Sequence, residues 1–276
     1  VITPRFPYPE AGACEQDRAE GLRQLRRLGF EVRAIGKYFE WQSADEMIVA
    51  WRAFGIPLTL IPYQSEKNKA RQLVGWPTSW DGAAMEYHDP AMQQAVIAEL
   101  DEFRPDLVWF DYTYLWPLYP LVKRRGLPIA VRSINFEALH YLDEDGRTPA
   151  HYLKFIPKFF TEVRAARTAD VLFAITPKEE RLYRRVGGKN VVTLPLRSLS
   201  SKPQSHTPRP AQTLHAVFSG STYNVAHNRQ ALLFIVRELA PAALTEWGMS
   251  LIFHITGSKF PADLQNDLPK NVVPEG

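Results

Sequence analysis

The chain has 276 residues, of which 45% are hydrophobic and 23% are charged, with a formal net charge of +3. This composition excludes a disordered chain and is typical of one large or two ordinary globular domains. The basic clusters fall in predicted helices, where a solvated helix face explains them, so we expect no nucleic-acid partner. The single cysteine, Cys14, excludes an internal disulfide.

Strands and helices alternate along the first two thirds of the chain. Strands are predicted at 1–3, 30–36, 106–111, 128–133, 169–176 and 190–196. Helices are predicted at 17–28, 90–103, 118–125, 151–168 with an interruption near Pro157, and 177–187. The strands are nearly continuous apolar runs, as strands buried on both faces should be. This alternation predicts an α/β fold with a doubly wound, Rossmann-like sheet.

A change of composition divides the chain. Residues 198–213 are rich in Ser and Pro and read as a linker. The pattern then restarts with strands at 214–220, 249–257 and 271–273 and helices at 228–239 and 261–268. We predict one domain at 1–197 and the start of a second, only partly present, at 214–276. The chain begins inside a predicted strand and ends without a closing helix, so we expect both ends to be cut.

The loop after the first strand carries the first candidate site. Gly12 and Ala13 stand where ligands bind in open α/β sheets, and the following helix start offers unpaired N–H groups to an anion. The plain alternative is a turn glycine. No G-x-G-x-x-G fingerprint is present, which counts against a dinucleotide cofactor and an NAD oxidoreductase.

A second cluster of polar residues follows the strand at 128–133. Asn135 and Glu137 could bind sugar hydroxyls, and Glu137 could transfer a proton. The alternative is structural: Ser133 or Asn135 caps a helix, and Glu137 is a first-turn glutamate favoured by the helix dipole. Both interpretations can hold together.

Two loops of the second domain are further candidates. Gly220 and Ser221 end a predicted strand, and Asn228 would cap the helix that follows. Gly257 and Lys259 end the next strand, where Lys259 would suit a diphosphate or be a solvated surface lysine. The seven histidines have no metal-ligand spacing, so we expect no metal site. These loops favour a ligand held between the two domains.

The order of these motifs resembles the GT-B glycosyltransferases of the large retaining group, the group 1 or family 4 type. The resemblance rests on PYPEAGACEQD, RPDLVWFD, VRSINFEA, EVRAARTADVLFAITPKEERLY, AVFSGSTYNVAHNRQALLFIVRELAP and SLIFHITGSKFPADL. Three features depart from the family. LPLRSLS replaces the usual Asn-Gly, the basic residue after the Gly-Ser loop is missing although Arg229 is near, and the paired donor glutamates would lie beyond Gly276.

The resemblance implies transfer of a sugar, with retention, from a nucleotide diphosphate sugar to a glycan or lipid-linked acceptor. The nucleotide sugar would be a co-substrate, and no cofactor or metal ion is expected. The first domain would bind the acceptor and the second the donor, in cytoplasmic polysaccharide or glycolipid assembly. Gly12, Gly220, Ser221 and Lys259 would contact phosphates, with Asn135 and Glu137 beside the transferred sugar. A nucleotide-sugar epimerase and a non-catalytic binding protein of the same fold stay open as alternatives.

One segment bears on the acceptor. Residues 151–160, HYLKFIPKFF, mix aromatic residues with Lys154 and Lys158. Such a stripe could lie on the inner face of a membrane that carries a lipid-linked acceptor. It could equally be a helix buried along one side.

Overall fold

The computed structural model describes residues 1–10, 12–63, 82–198, 213–265 and 267–275. The chain divides into two units, Val1–Lys202 and Pro203–Gly276. Most of the predicted linker, residues 199–212, lies outside the described residues. The domain boundary at 198–213 therefore stays a prediction.

The first unit is built on a seven-stranded parallel sheet with the order β3-β2-β1-β4-β5-β6-β7. The strands are β1 (Ile2–Arg5), β2 (Ala34–Tyr38), β3 (Leu58–Pro62), β4 (Val108–Phe110), β5 (Ile129–Arg132), β6 (Val171–Ala174) and β7 (Val191–Thr193). The order reverses between β1 and β4. Ligands bind outside the carboxyl ends of strands at such a switch point, so this edge is where a site is expected.

Eight helices are described in the first unit. They are α1 (Ala13–Arg27), α2 (Ala44–Arg52), α3 (Gly82–Met85), α4 (Pro90–Phe103), α5 (Tyr119–Lys123), α6 (Glu137–Asp145), α7 (Pro149–Thr168) and α8 (Pro177–Arg185). A 3-10 helix, Thr113–Leu118, precedes α5. α4 has the predicted bounds because Asp89 caps it, accepting from the Ala91 N–H at 3.1 Å, and Arg104 ends it with φ of 50°.

Some predicted bounds were wrong. α1 begins four residues early, because the chain turns helical directly after Gly12 rather than at Asp17. The predicted interruption near Pro157 does not occur, since α7 is continuous. A proline in a helix leaves the carbonyl four residues back unpaired, and here that carbonyl belongs to the exposed Leu153, where solvent can satisfy it. α2, α3 and β3 were not predicted, and only the start of α6 was anticipated.

The second unit contains a three-stranded parallel sheet with the order β10-β9-β8. Its elements are β8 (Leu214–Thr222), α9 (Ala226–Phe234), a π-helical segment (Ile235–Leu239), α10 (Ala240–Trp247), β9 (Leu251–Ser258) and β10 (Val272–Pro274). β8 does not end at Gly220 as predicted. It continues to Thr222 through a register irregularity after Ser219. The predicted α/β class with two parallel sheets is confirmed.

Among the described residues, no helix combines the length and the apolar character needed to cross a bilayer.

Candidate functional site at the carboxyl edge of the first sheet

The start of α1 lies directly after the loop that follows β1. Gly12 is its N-cap in an extended conformation and supplies no side-chain cap. A Cβ atom at this position would lie 2.3 Å from Glu15 Oε2, so the Glu15 carboxylate folds against the glycine. A carboxylate is favoured there, because unpaired N–H groups and the helix dipole make a helix start positive.

Arg18, one turn further along α1, connects this helix to the residues that follow β4 and β5. Its Cζ lies 5.4 Å from the centroid of the Tyr112 ring. The Tyr112 hydroxyl donates to Glu137 Oε1 at 2.7 Å. Burial raises the pKa of Tyr112, and the Glu137 carboxylate adds to that rise. The hydroxyl therefore stays protonated and able to hold Glu137 at the carboxyl edge of the sheet.

A buried hydrogen-bond network fixes the loop between β5 and α6. Glu162 Oε2 lies 2.6 Å from Tyr183 Oη, which lies 2.7 Å from Ser133 Oγ. Ser133 Oγ in turn donates to the Asn135 carbonyl at 2.7 Å. Tyr183 donates to Glu162 and lies within hydrogen-bond distance of Ser133, so the network joins α7 and α8 to the loop after β5.

The surroundings of Glu162 agree with a protonated carboxyl group. Burial raises its pKa to about 8, although hydrogen bonds from Tyr183, Thr113 and the Glu137 N–H oppose the rise. The Thr113 hydroxyl and the Glu137 N–H both donate to Glu162 Oε1 at 3.2 Å. Glu162 thus ties α7 to the first residue of α6. Glu137 is held at its backbone by Glu162 and at its side chain by Tyr112.

A second buried network joins α1 to the chain that follows β7. Arg197 Nη2 lies 2.8 Å from Asp17 Oδ2 and 3.2 Å from Asp111 Oδ1. Arg132 Nη2 lies 3.7 Å from Asp17 Oδ1 and donates to the Pro195 carbonyl at 3.0 Å. All four side chains are almost completely buried. The network holds the carboxyl ends of β4, β5 and β7 against one face of α1.

In the second unit, two glycines bring the ends of β8 and β9 into contact. Gly257 has φ of +137°, and a Cβ atom on it would lie 1.9 Å from the Gly220 carbonyl oxygen. The Tyr223 ring packs under both glycines, and its hydroxyl donates to the Thr256 carbonyl at 2.7 Å. Only glycine fits this approach of two backbones. The glycines therefore serve packing within the unit.

The comparisons with known proteins agree with this architecture. A family model described as "Glycosyl transferase 4-like domain" matches residues 13–197, more than half of the chain. The chain belongs to the glycosyl transferase 4-like domain family. The matched region spans α1 to Arg197, so it contains both buried networks. No curated protein sequence matches the chain.

Solved structures resemble this glycosyltransferase-family chain in fold. The calicheamicin glycosyltransferase CalG4 has 15% identity and a TM-score of 0.54, covering 99% of this chain and 69% of that one. Phytolacca americana UGT2, complexed with UDP-2fluoro-glucose and pterostilbene, has 13% identity and a TM-score of 0.55, covering 100% and 71%. A putative UDP-N-acetylglucosamine 2-epimerase from Listeria monocytogenes has 11% identity and a TM-score of 0.52, covering 99% and 68%. At these identities the likeness shows the fold, and the expected GT-B glycosyltransferase fold is confirmed.

The predicted residues of the first unit lie on one edge of the sheet. Gly12 and Ala13 begin α1, and Asn135 and Glu137 follow β5. Glu137 is in the first turn of α6, as expected. The predicted helix cap was wrong: Phe136 is the N-cap, and Ser133 bonds to the Asn135 carbonyl and Tyr183 instead. Phe136 N–H donates to Glu179 Oε1 at 2.9 Å, which removes the need for a cap there.

The predicted residues of the second unit also lie together. Asn228 is not the helix cap, because α9 begins at Ala226 with Val225 as N-cap. Its Nδ2 instead donates to Ser221 Oγ at 3.2 Å and to the Thr222 carbonyl at 3.1 Å. Lys259 follows Gly257, is exposed, and has φ of +59°, an uncommon conformation for a non-glycine residue.

Sequence reasoning missed the buried charged residues of this glycosyltransferase-family chain. At the carboxyl edge of the sheet they are Asp17, Arg18, Asp111, Arg132, Glu162 and Arg197, and elsewhere in the first unit they include Lys37, Glu86 and Asp89. Asp111 and Arg132 end predicted buried strands, which was a usable signal. Asp17, Arg18 and Glu162 stand in helices, where a charged residue usually faces solvent. Among the described residues, no group of His, Cys, Asp and Glu could hold a metal ion.

Proposed function

We propose that this chain is part of a retaining glycosyltransferase that moves a sugar from a nucleotide diphosphate sugar to a glycan or lipid-linked acceptor. The family match over residues 13–197 carries the proposal. We propose that the reaction is independent of metal ions and needs no further cofactor. Helix starts and basic side chains would then stabilise the leaving diphosphate.

The first unit would bind the acceptor beside the transferred sugar. Glu137 supports this role because its side chain and its backbone are each held by a hydrogen bond, from Tyr112 and to Glu162. These two hydrogen bonds hold the carboxylate in one position, as a group that binds a sugar hydroxyl or transfers a proton requires. Asn135, whose carbonyl is fixed by Ser133, would sit beside it.

The second unit would bind the donor. Ser221 and Asn228 are joined by a hydrogen bond at the point where β8 passes into α9. Gly220 and Gly257 shape the adjoining loops, and the exposed Lys259 would place a positive charge beside a diphosphate. These roles, with Gly12 and Ala13 at the start of α1, are part of the proposal.

Nucleotide binding tests the proposal. We expect the melting temperature to rise selectively with one of UDP, GDP and ADP or its sugar conjugate, because a ligand that binds only the folded state stabilises it. Lys259→Met should reduce the rise, whereas Lys270→Met, at another exposed lysine of the same unit, should leave it unchanged. No rise with any nucleotide would contradict the donor role and favour a binding protein that has kept the fold.

A nucleotide-sugar epimerase is the second candidate, because the likeness to the Listeria protein covers 99% of this chain. The two reactions differ in products. An epimerase releases an altered sugar without an acceptor, whereas the transferase consumes donor only when an acceptor is present. Incubating donor without acceptor and analysing the products separates them.

We further propose peripheral contact with the inner face of a membrane through α7. Its exposed apolar side chains, Leu153, Ile156 and Phe160, recur at helical spacing on one face. The exposed charged residues of α7, Lys154, Arg164 and Arg167, are all basic, and its one acidic residue, Glu162, is buried. An apolar stripe with basic neighbours fits an anionic bilayer. This surface supports a lipid-linked acceptor and cytoplasmic glycan assembly.

Vesicle sedimentation tests this contact. We expect binding to phosphatidylcholine vesicles that contain phosphatidylglycerol and weaker binding to phosphatidylcholine alone. The double variant Leu153→Gln and Phe160→Gln should lose binding. Leu28→Gln, at an exposed leucine beside α1, should not. A chain that binds neither kind of vesicle would contradict the proposal, as would self-association through α7 in place of lipid binding.

A further inference from the structure

We infer that Arg18 binds an anionic oxygen group, a phosphate or a carboxylate, of a ligand at the start of α1. Arg18 is 5% exposed, and its buried Nε has no hydrogen-bond partner. Within the described residues it makes no ion pair, and its contact with Tyr112 is to the ring face. A buried guanidinium with an unsatisfied donor is costly unless something supplies an oxygen acceptor.

The other buried arginines of this edge show the contrast. Arg132 donates to the Leu194 and Pro195 carbonyls, and Arg197 pairs with Asp17 and Asp111. Arg132 Nε also has no hydrogen-bond partner, but the other two nitrogens of that guanidinium are paired, so the charge of each of these arginines has a partner within the fold. The charge of Asp111 also acts on Arg18, but its Oδ1 already accepts from Arg197 and from Trp109 Nε1 at 3.0 Å. Among the described residues, Arg18 is therefore a buried cation of this edge with no hydrogen-bonded or ion-pair partner.

Arg18 stands one turn after Cys14 on the same face of α1. Helical side chains lean toward the amino-terminal end of their helix, so Arg18 lies over the turn that contains Cys14. The charge of Arg18 acts on the Cys14 thiol. Burial raises the pKa of this thiol, and Arg18 opposes the rise. The unsatisfied guanidinium and the positive start of α1 thus face the same place.

The ligand chemistry follows from these two groups. A guanidinium presents a planar fork of donors that matches phosphate and carboxylate oxygens, and helix starts favour the same anions. The Glu15 carboxylate lies against Gly12 at this helix start. An incoming anion would displace Glu15, so the two compete.

This inference does not rest on sugar transfer, because anion binding at Arg18 is measured without a reaction. Under the proposed function two sources share the chemistry. One is the diphosphate of the donor, and the other is an anionic group on the acceptor. UDP, GDP and ADP probe the first source, glycerol 3-phosphate probes the second, and inorganic pyrophosphate probes the site itself.

Cys14 provides the readout, because it is the single cysteine and lies in the first turn of α1. We expect pyrophosphate to slow labelling of Cys14 by a thiol reagent at constant ionic strength. A ligand at about ten times its Kd leaves roughly a tenth of the sites free, so labelling should slow by up to about tenfold. Unchanged labelling with every anion would overturn the inference, even if no variant folds.

Variants test whether the protection of Cys14 by pyrophosphate depends on Arg18. Arg18→Met should abolish protection, whereas Arg27→Met, at an exposed arginine of the same helix, should retain it. Glu15→Gln removes the competing charge and should lower the pyrophosphate concentration needed for protection. Protection that survives in Arg18→Met, or that weakens in Glu15→Gln, would overturn the assignment. Loss of nucleotide binding in the second unit with protection intact would contradict the proposed function and leave this inference standing.

Discussion

Arg197 and Asp17 lie 180 residues apart in sequence and form a buried ion pair with Nη2 2.8 Å from Oδ2. The Arg197 backbone N–H donates to the other oxygen of the same carboxylate. The side chain of Arg197 is 6% exposed and that of Asp17 is fully buried. This pair fixes the chain after β7 onto α1, and it joins the two ends of the region that the family model matches.

Replacing Arg197 tests how much that pair stabilises the first unit. Arg197→Met leaves Asp17 buried with the backbone N–H of residue 197 and the longer contact to Arg132, and without its close cationic partner. Removing one partner of a buried ion pair typically costs about 3–5 kcal/mol. We expect a loss of this size in the free energy of unfolding, measured with urea. Arg147→Met breaks an exposed pair with Asp143 and should give no measurable change, and equal effects would refute the prediction.

The effect of Gly21→Ala on the stability of the first unit should change sign when Arg197 is replaced. A Cβ atom on Gly21 would lie 2.0 Å from Arg197 Nη1, so Gly21→Ala must displace the arginine and destabilise the first unit. In an Arg197→Ala background, where the side chain ends at Cβ, the obstruction is absent. Alanine then stabilises the helix relative to glycine by about 1 kcal/mol. A double-mutant cycle in urea measures the reversal, and additive effects would show that the two residues do not interact.

Local chemistry made parts of the fold predictable. The bounds of α4 could be read from Asp89 and Pro90, because capping and the fixed φ of proline act within a few residues. Most of the strands, though not β3, were predictable because a parallel sheet buries both faces. Local signals failed where tertiary contacts decide, as at Pro157 inside α7 and at β8 beyond Gly220.

The site was less predictable than the fold. Gly12, Asn135 and Glu137 could be placed at one edge because parallel strands point their carboxyl ends the same way. Arg18 and Glu162 could not, since nothing in a helical sequence says which charged residue is buried. Gly220 and Gly257 were read as room for a phosphate. The structure shows that they let two backbones meet, and their role at a phosphate stays a proposal.

Glu162 should make the stability of the first unit depend on pH. Its pKa is about 8 in the folded chain against an ordinary value of 4.5, so the folded state keeps a proton that the unfolded state loses. The contribution of Glu162 to the free energy of unfolding is therefore fully present below pH 4.5. It is lost as the pH rises from there through about 8. We expect Glu162→Gln to reduce the loss of unfolding free energy between about pH 6 and about pH 9.

The control for this prediction is a carboxylate outside the network. Glu31→Gln, at an exposed position, should keep the pH dependence of the wild type. The groups facing Glu162 are Tyr183, Thr113 and Glu137, and all three remain in the variant. A Glu162→Gln protein with the wild-type pH profile would show that Glu162 does not hold the proton.

Tyr112 should affect turnover through Glu137. Tyr112→Phe removes the hydroxyl that donates to Glu137 Oε1 and keeps the ring over which Arg18 lies. Under the proposed function we expect kcat to fall with little change in KM for the donor, because the second unit would bind the donor. Glu137→Gln should lower kcat further. Steady-state kinetics with the identified donor measure both, and unchanged kcat in both variants would remove Glu137 from the proposed site.

Gly257, near the end of β9, and Gly248, which caps the carboxyl end of α10, form a matched pair for a test of glycine. Both have positive φ, +137° and +58°, but a Cβ atom at 248 would contact nothing within 4 Å. Gly248→Ala should therefore lose only the backbone preference, about 1 kcal/mol. Gly257→Ala adds a clash at 1.9 Å with the Gly220 carbonyl and must separate β8 from β9. We expect calorimetry to show a clearly larger loss for Gly257→Ala, because a rigid backbone cannot yield as a side chain can. Equal losses would mean that strain at φ, and not the approach of the two backbones, requires glycine at 257.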